Sequence, residues 1–317
     1  MRELDLLSRI YDSAVGLPDR VDIPPGDDMG AVRIGDSRVL VSVDQLADTV
    51  HVDLDATSIE KVGRKAITRS LSDVAAMGSL PCGAVVAACL PRDFGEERAN
   101  SLFDAIRCTA EAYNCPVFGG DIAMWDHPML LTVTVLAGGD GIAPLLRCGA
   151  RVGDAVCVTG RLGGSQVPVD GYTHHLDFEP RLATGRALAA GKPVRPNCMI
   201  DLSDGLAQDL AHLCRASVVA AIVDADDLPV SRGAHALAAD DPTKLWQHAM
   251  GDGEDYELCF TVTADKAAHI VGREVQGAVV SRVGTIIEND GGPPVRLRLP
   301  DGTIQPIDRL GWEHRGK

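Results

Sequence analysis

Met199-Ile-Asp-Leu-Ser-Asp-Gly-Leu206 decides how this chain is read. Cys198, Met199 and Ile200 form a short apolar run, and Leu206, Leu210 and Leu213 then recur at helical spacing. The pattern predicts a buried strand feeding a helix, with Ser203 or Asp204 as the N-cap and the leucines in the core. Asp201, Ser203 and Asp204 therefore crowd one strand-to-helix turn. A helix N-terminus attracts anions, so two carboxylates there need a cause. Capping accounts for one of them. Divalent cations held against phosphate account for both.

Outward from this turn, the 317 residues allow one large domain or two ordinary ones, and 45% apolar residues supply a sizeable core. A net charge of −15 argues against nucleic acid or an anionic membrane as partner. An anionic substrate stays open, because bound metals invert the local field. Nine cysteines lie scattered without Cys-x-x-Cys spacing, which suits thiols in a reducing compartment and argues against structural zinc. Met1-Arg-Glu-Leu-Asp-Leu-Leu7 is too charged for a signal peptide. No apolar run approaches the ~20 residues of a membrane span. The expectation is a cytoplasmic protein.

Taken in order, residues 4 to 15 read as a helix, and Pro24-Pro25-Gly26-Asp27-Asp28 as a turn. Residues 39 to 43 read as a strand with Asp44 at its end. Residues 58 to 78 form a long helix with Ser58 as cap, and Val62, Ala66, Ser70, Asp73 and Met77 share its inner stripe. An inward carboxylate such as Asp73 is costly unless paired, hydrogen-bonded or on a metal. A strand over 83 to 89, a helix over 94 to 113, a short strand at 116 to 118 followed by Gly119-Gly120-Asp121, and a strand over 129 to 136 come next. Gly138-Gly139-Asp140-Gly141 is the linker, dividing residues 1–139 from 140–317. The second half holds strands at 155–159, 218–223 and 258–262 and a helix at 181–190. Two tail strands within 279–299 are joined by the Asn289-Asp290-Gly291-Gly292 turn. His174-His175 reads as a polar loop without a site. The mixture lacks strict βα alternation, so the fold class is α+β.

Asp27, Asp28, Asp44, Asp73, Asp121, Asp201 and Asp204 stand at predicted strand ends, turns or an inward face. Singly, each reads as a turn or cap residue. One site holding several Mg²⁺ ions explains them together, since Mg²⁺ takes few carboxylates and completes its shell with water and phosphate. The P-loop, dinucleotide and protein-kinase signatures are absent.

Gly26-Asp27-Asp28, Ser42-Val43-Asp44, Leu71-Ser-Asp-Val-Ala-Ala-Met-Gly78, Gly119-Gly120-Asp121, Gly153-Asp154 with Thr159-Gly160, the opening stretch, and Gly253-Glu-Asp-Tyr-Glu-Leu258 occur in this order. The ordered set resembles thiamine-monophosphate kinase, of the superfamily that includes aminoimidazole ribonucleotide synthetase and selenophosphate synthetase. The Ser-Asp-Gly-Leu and Gly-Glu-Asp-Tyr-Glu blocks, with His51 and the terminal Trp312-x-His314, separate it from those relatives.

The resemblance implies a two-domain fold. An N-terminal α/β domain pairs with its copy in a homodimer, a C-terminal α+β domain folds over it, and ATP lies between. It implies transfer of the γ-phosphoryl of ATP to thiamine monophosphate. Asp28, Asp44, Asp73, Asp121, Asp201 and Asp204 are then the Mg²⁺ ligands. Ser42 adds an oxygen to the set, and Val43, which stands where the family usually has threonine, is counted in it. Gly120, Asp121, Arg147 and Ser203 contact ATP, and His51, Glu254 and Trp312 contact thiamine monophosphate. Arg147 and Asp204 carry the catalytic roles. The acceptor phosphate is already partly ionised near neutral pH, so alignment and charge neutralisation suffice without a strong base. A tryptophan such as Trp312 suits a cationic aromatic ring.

The chain departs from the family pattern at Ile122-Ala-Met-Trp125, where the family carries Thr-Thr-Arg, at Gly163-Gly-Ser165, which lacks an acid, and at Gly251-Asp252-Gly253, which adds one. These departures leave two further readings: a related ATP-dependent enzyme with another acceptor, and a non-catalytic nucleotide-binding paralogue.

Overall fold

A computed structural model describes residues 6, 9–11, 13, 14, 16–239, 241–307 and 310–312. The helix expected over residues 4 to 15 falls partly, and His314 wholly, outside the described residues.

The first sheet is built from β1 (Val21–Ile23), β2 (Gly30–Ile34), β3 (Ser37–Ala47), β4 (Leu80–Pro91), β5 (Val117–Trp125) and β6 (Leu130–Gly138), in the order β1-β2-β3-β6-β4-β5. Neighbours are antiparallel except β4 and β5, which run parallel. Along β6, Leu131, Val133, Val135 and Ala137 are buried and their neighbours half-buried. This two-residue period marks a sheet with one covered face. The cover is α1 (Ile59–Ala76) and α2 (Glu96–Ala112), whose Val62, Ile67, Leu71, Leu102 and Ile106 join the strand residues in one core. Ser58 caps α1 through its side chain, as expected.

The second sheet comprises β10 (Cys198–Asp201), β12 (Leu258–Val262), β7 (Ala155–Thr159), β14 (Ala278–Ile287), β11 (Ala220–Asp224), β15 (Val295–Arg298) and β16 (Ile304–Pro306), in that spatial order. β13 (Glu274–Val275) pairs with β14, and β8 (Pro168–Val169) with β9 (Tyr172–Thr173). Every residue of β7 and β12 is buried, because both faces of this sheet are covered and continuous apolar runs are stable there. One face packs on α5 (Leu206–Ser217) and α7 (Pro242–Gly251), through Leu206, Leu210, Leu213 and Met250. The other packs Met199, Phe260 and Val262 against Leu188 of α4 (Leu182–Ala189) and Ala75 and Ala76 of α1. The helices α3 (His174–Asp177), α6 (Arg232–Ala238) and α8 (Ala264–Ala267) and a 3₁₀ turn at Ala225–Asp227 also belong to the described elements.

Helix α1 thus joins both cores, packing on α2, α4 and β10. Its close approach to α4 needs Gly185: a Cβ there would lie 2.0 Å from the Ala75 carbonyl oxygen.

The α+β class and the α1, β7, β10 and β12 positions agree with the sequence. Four local expectations do not. Asp44 sits inside β3, because the ladder with β6 continues to Ala47. Gly119-Gly120-Asp121 lies within β5, held there by parallel pairing with β4. Helix α5 is capped by Gly205, not by Ser203 or Asp204; the Asp209 carboxylate accepts from the backbone N–H of Asp204 (3.1 Å) and Gly205 (3.0 Å) instead. Val218 ends α5 in the left-handed conformation (φ 58°), so β11 starts at Ala220. The two tail strands stand as expected, β14 and β15 on either side of residues 289–292, with β11 lying between them in the sheet.

Candidate phosphate and metal site

Three carboxylates from distant parts of the chain converge. Asp28 comes from the loop before β2, Asp73 from the last turns of α1 and Asp201 from the end of β10. Each offers an oxygen within 4.8 Å of the other two. Burial pushes the Asp73 carboxyl well above the ordinary range, and the charges of Asp44, Asp201 and Asp28 push it further. Burial and Asp28 also push Asp201 up to about 7, although the Ser72 hydroxyl donates to it at 2.6 Å. Like charges held this close require a counter-charge or a proton.

One counter-charge is Arg147. Its guanidinium donates to Asp28 Oδ1 from Nη2 (2.7 Å) and Nε (3.1 Å), and its backbone N–H donates to Asp27 at 3.2 Å. Asp27 is pushed up to about 7 by burial and by the charge of Asp28. The remaining donor set fits a hard cation. Asp28 Oδ2 and Ser42 Oγ are buried without a hydrogen-bond partner among the described residues, and such atoms are costly unless something coordinates them. Asp44, two residues beyond Ser42 and on the same face of β3, acts electrostatically on both Asp73 and Asp201.

A second cluster adjoins the first. Lys65, fully buried in α1, donates from Nζ to the His51 carbonyl (2.7 Å) and to Glu254 Oε1 (2.5 Å), and lies 2.8 Å from His175 Nδ1. Burial lowers the Lys65 pKa to about 8, despite the opposing charge of Glu254. For Glu254, burial acts upward, but the His175 contact and the Lys65 charge outweigh it and hold the carboxyl down at about 2. Glu254 and Tyr256 both adopt positive φ (56° and 49°), a conformation costly for residues with side chains and common where a loop presents functional groups. The Glu254 N–H donates to the Ser203 carbonyl (2.7 Å), and the Trp312 N–H to the Asp204 carbonyl (2.9 Å). Ser203, Asp204, Glu254 and Trp312 therefore share one edge, and the Trp312 ring is half exposed there.

Two expected residues stand elsewhere. Asp121 pairs in register with Ala87, and Gly120 with Val86. Strand β5 is the third strand from β3 in the sheet, about 14 Å away at the usual strand spacing. Asp121 is also exposed, on the face opposite buried Val86 and Val133, the row that includes Asp44. Within one chain, Gly120 and Asp121 are thus apart from the acid cluster. Val43 brings no side-chain donor: it is 62% exposed, on the opposite face of β3 from Ser42.

The sequence reading missed Lys65, Arg69, Ser72 and His175. The first three share a face of α1 with Asp73 at four- and three-residue steps, and that spacing to Asp73, on a row beside the predicted inner stripe, was the available signal. His175, read as part of a loop without a site, is brought in by α3, and nothing in the local sequence indicates that.

The departures also find places. The added acid, Asp252, accepts from the Gly164 N–H (2.7 Å) and contacts His248 Nδ1 (3.0 Å), so its charge is engaged away from the acid cluster. Ile122 and Met124 are exposed on the edge strand β5.

Comparison with known proteins gives this geometry a context. Residues 26–139 match the family described as AIR synthase related protein, N-terminal domain. The thiamine-monophosphate kinase of Rhodopirellula baltica is 35% identical over 254 residues, covering 80% of this chain and 77% of that protein. The thiamine-monophosphate kinase of Mycobacterium tuberculosis is 34% identical over 277 residues, covering 82% and 81%. A solved structure described as AaThiL complexed with AMPPCP and TMP superposes with a TM-score of 0.81 at 26% identity, covering 99% of this chain and 97% of that one. A shared fold and this extent of identity lead to one assignment: the chain belongs to the thiamine-monophosphate kinase family.

Proposed function

We propose that this protein transfers the γ-phosphoryl group of ATP directly and in line to the phosphate of thiamine monophosphate, with several Mg²⁺ ions. The bond from the γ-phosphorus to the bridging oxygen breaks, a bond to an acceptor phosphate oxygen forms, and ADP and thiamine diphosphate leave. The observation that carries the reading is the convergence of Asp28, Asp73 and Asp201 around orphaned buried oxygens, next to the Lys65–Glu254 cluster. Support also comes from relatives named thiamine-monophosphate kinase and from the described AMPPCP and TMP complex.

Asp28, Asp73 and Asp201, with Asp44, Ser42 and Asp204, would hold Mg²⁺, which supplies charge neutralisation and a template for the phosphates. Arg147 neutralises Asp28 and is placed to turn toward nucleotide phosphate. Ser203 presents a hydroxyl at the same turn. Lys65 fixes the His51 backbone and Glu254 side by side, which positions them for the thiamine end of the acceptor, with Trp312 as a ring to stack on it. The acceptor oxygen needs no base in the protein, because a phosphate monoester is largely ionised at neutral pH.

The reading extends to assembly. Residues 1–139 would form the ATP- and metal-binding, dimerising domain and residues 140–317 the one that completes the cleft. A homodimer is favoured by the exposed edge strand β5, where Phe118, Ile122 and Met124 are 64%, 61% and 46% exposed. Gly120 and Asp121 on that strand would then serve a site shared between copies. Nine free cysteines suit the cytoplasm, and no described helix is long and apolar enough to cross a membrane.

The test is incubation with Mg²⁺, ATP and thiamine monophosphate, reading thiamine diphosphate and ADP in equal amounts. Folded protein that makes no thiamine diphosphate above a control without enzyme rejects the proposal.

A further inference from the structure

Arg69 lies on α1, one helical turn after Lys65, between the acid cluster and the Glu254 loop. Its side chain is 14% exposed, and its Nη2 is 3.7 Å from Asp44 Oδ1, beyond hydrogen-bond range. Its Nε and Nη1 are buried and have no hydrogen-bond partner among the described residues. Its electrostatic neighbours are Tyr256, Asp44, Glu254 and Asp73. Two of the acids here have cations at close range: Glu254 has Lys65 at 2.5 Å, and Asp28 has Arg147 at 2.7 Å. Arg69 thus keeps two buried donors that no described residue accepts.

A buried guanidinium with unmade hydrogen bonds is costly, and a neutralising role alone does not account for the two unmade ones. The fork of an arginine matches phosphate oxygens in geometry and charge. The position selects which phosphate. Arg147 and Asp28 occupy one end of the acid cluster, whereas Arg69 stands at the end nearest Glu254 and Tyr256.

We propose that Arg69 binds the phosphate monoester of the acceptor and holds it against the metal cluster for attack. The inference rests on the kinase reading above and assigns one residue within that site. Arg69 is then a substrate-binding residue that discriminates a phosphorylated acceptor from its alcohol.

The experiment is calorimetry of thiamine monophosphate and of thiamine, with Mg²⁺ and a non-hydrolysable ATP analogue present, on the wild type, Arg69→Met and Arg69→Lys. The quantity read is the ratio of the two affinities within one protein, so a general loss of fold moves both and cancels. Arg69→Lys keeps the charge and guards against misfolding. The expected result is a fall in the preference for the monophosphate of about tenfold or more in both variants, since lysine lacks the fork. Thiamine and analogue affinities should stay within about twofold, as neither uses the fork. An unchanged ratio in either variant, or a loss confined to the analogue or to Mg²⁺, overturns the assignment of Arg69. Failure of the wild type to bind thiamine monophosphate overturns the kinase reading and this inference together.

Discussion

The ammonium of Lys65 meets the carboxylate of Glu254 at 2.5 Å, across 189 residues of chain. The lysine is fully buried and the glutamate side chain 16% exposed. This pair ties the helix that carries Asp73 to the loop between α7 and β12, whose Glu254 N–H donates to the Ser203 carbonyl in the Asp201–Asp204 turn, so the acid cluster and the Lys65–Glu254 cluster share one support.

Breaking one side of this pair should be worse than removing both. Lys65→Met leaves the largely buried Glu254 charged without its ammonium partner, and is expected to cost about 3 kcal/mol of stability. Lys65→Met combined with Glu254→Gln should recover a large part of that. Urea denaturation midpoints of the two variants test it, and equal midpoints would show that the pair does not act as a unit.

The same pair sets an acid response. Glu254 has its carboxyl held at about 2 in the fold, below its ordinary 4.5. A depressed acid stabilises the fold above its unfolded value, and that share is lost as pH falls from 4.5 toward 2. Asp73 and Asp201 are raised and act in the opposite direction, so the comparison must isolate one group. Wild-type stability should fall more steeply than that of Glu254→Gln between pH 4.5 and 2. Parallel curves would contradict the assignment.

Metal should stabilise the protein without nucleotide. At about a hundredfold excess over its Kd, Mg²⁺ should add about 2.7 kcal/mol. Asp73→Asn removes a like charge from a crowded cluster, so it should raise the Tm of the metal-free protein while abolishing the shift that Mg²⁺ produces. Scanning calorimetry with Mg²⁺ and with chelator distinguishes the two effects. A metal shift that survives in Asp73→Asn would remove this residue from the ligand set.

Asp44→Asn and Asp204→Asn should each lower kcat by on the order of 100-fold, the scale of losing a charge-stabilising group in a phosphoryl-transfer site. Their unfolding midpoints should stay near the wild-type value. Turnover near the normal rate at limiting Mg²⁺ would count against either residue.

Gly120→Ala tests the edge strand. A Cβ at this position would stand 2.0 Å from the Val86 carbonyl oxygen, so β5 must shift from β4 at a cost of about 1–3 kcal/mol. If β5 carries the dimer contact, sedimentation should show weakened association as well as a lower midpoint. Unchanged association with a lower midpoint would place the contact elsewhere.

Much of this protein was legible in its sequence. The limits of β7, β10 and β12 follow from apolar runs bounded by turn residues, and the inward aim of Asp73 follows from its place on the inner stripe of α1. These properties depend on neighbours two to four residues away, which composition and spacing report directly. The order of the acid-bearing motifs was equally visible.

Tertiary structure alone decided which groups meet. Ser72 reaches Asp201, Arg147 reaches Asp28, and Lys65 reaches His175 and Glu254, each across more than a hundred residues. The parallel pairing of β5 with β4 carried Asp121 away from the acids that its motif seemed to accompany. Strand order and helix docking set those distances, and they arise from how two sheets bury their faces against one shared helix. No local pattern along the chain encodes that balance, so the partners of Lys65 and Arg69 became visible only in the fold.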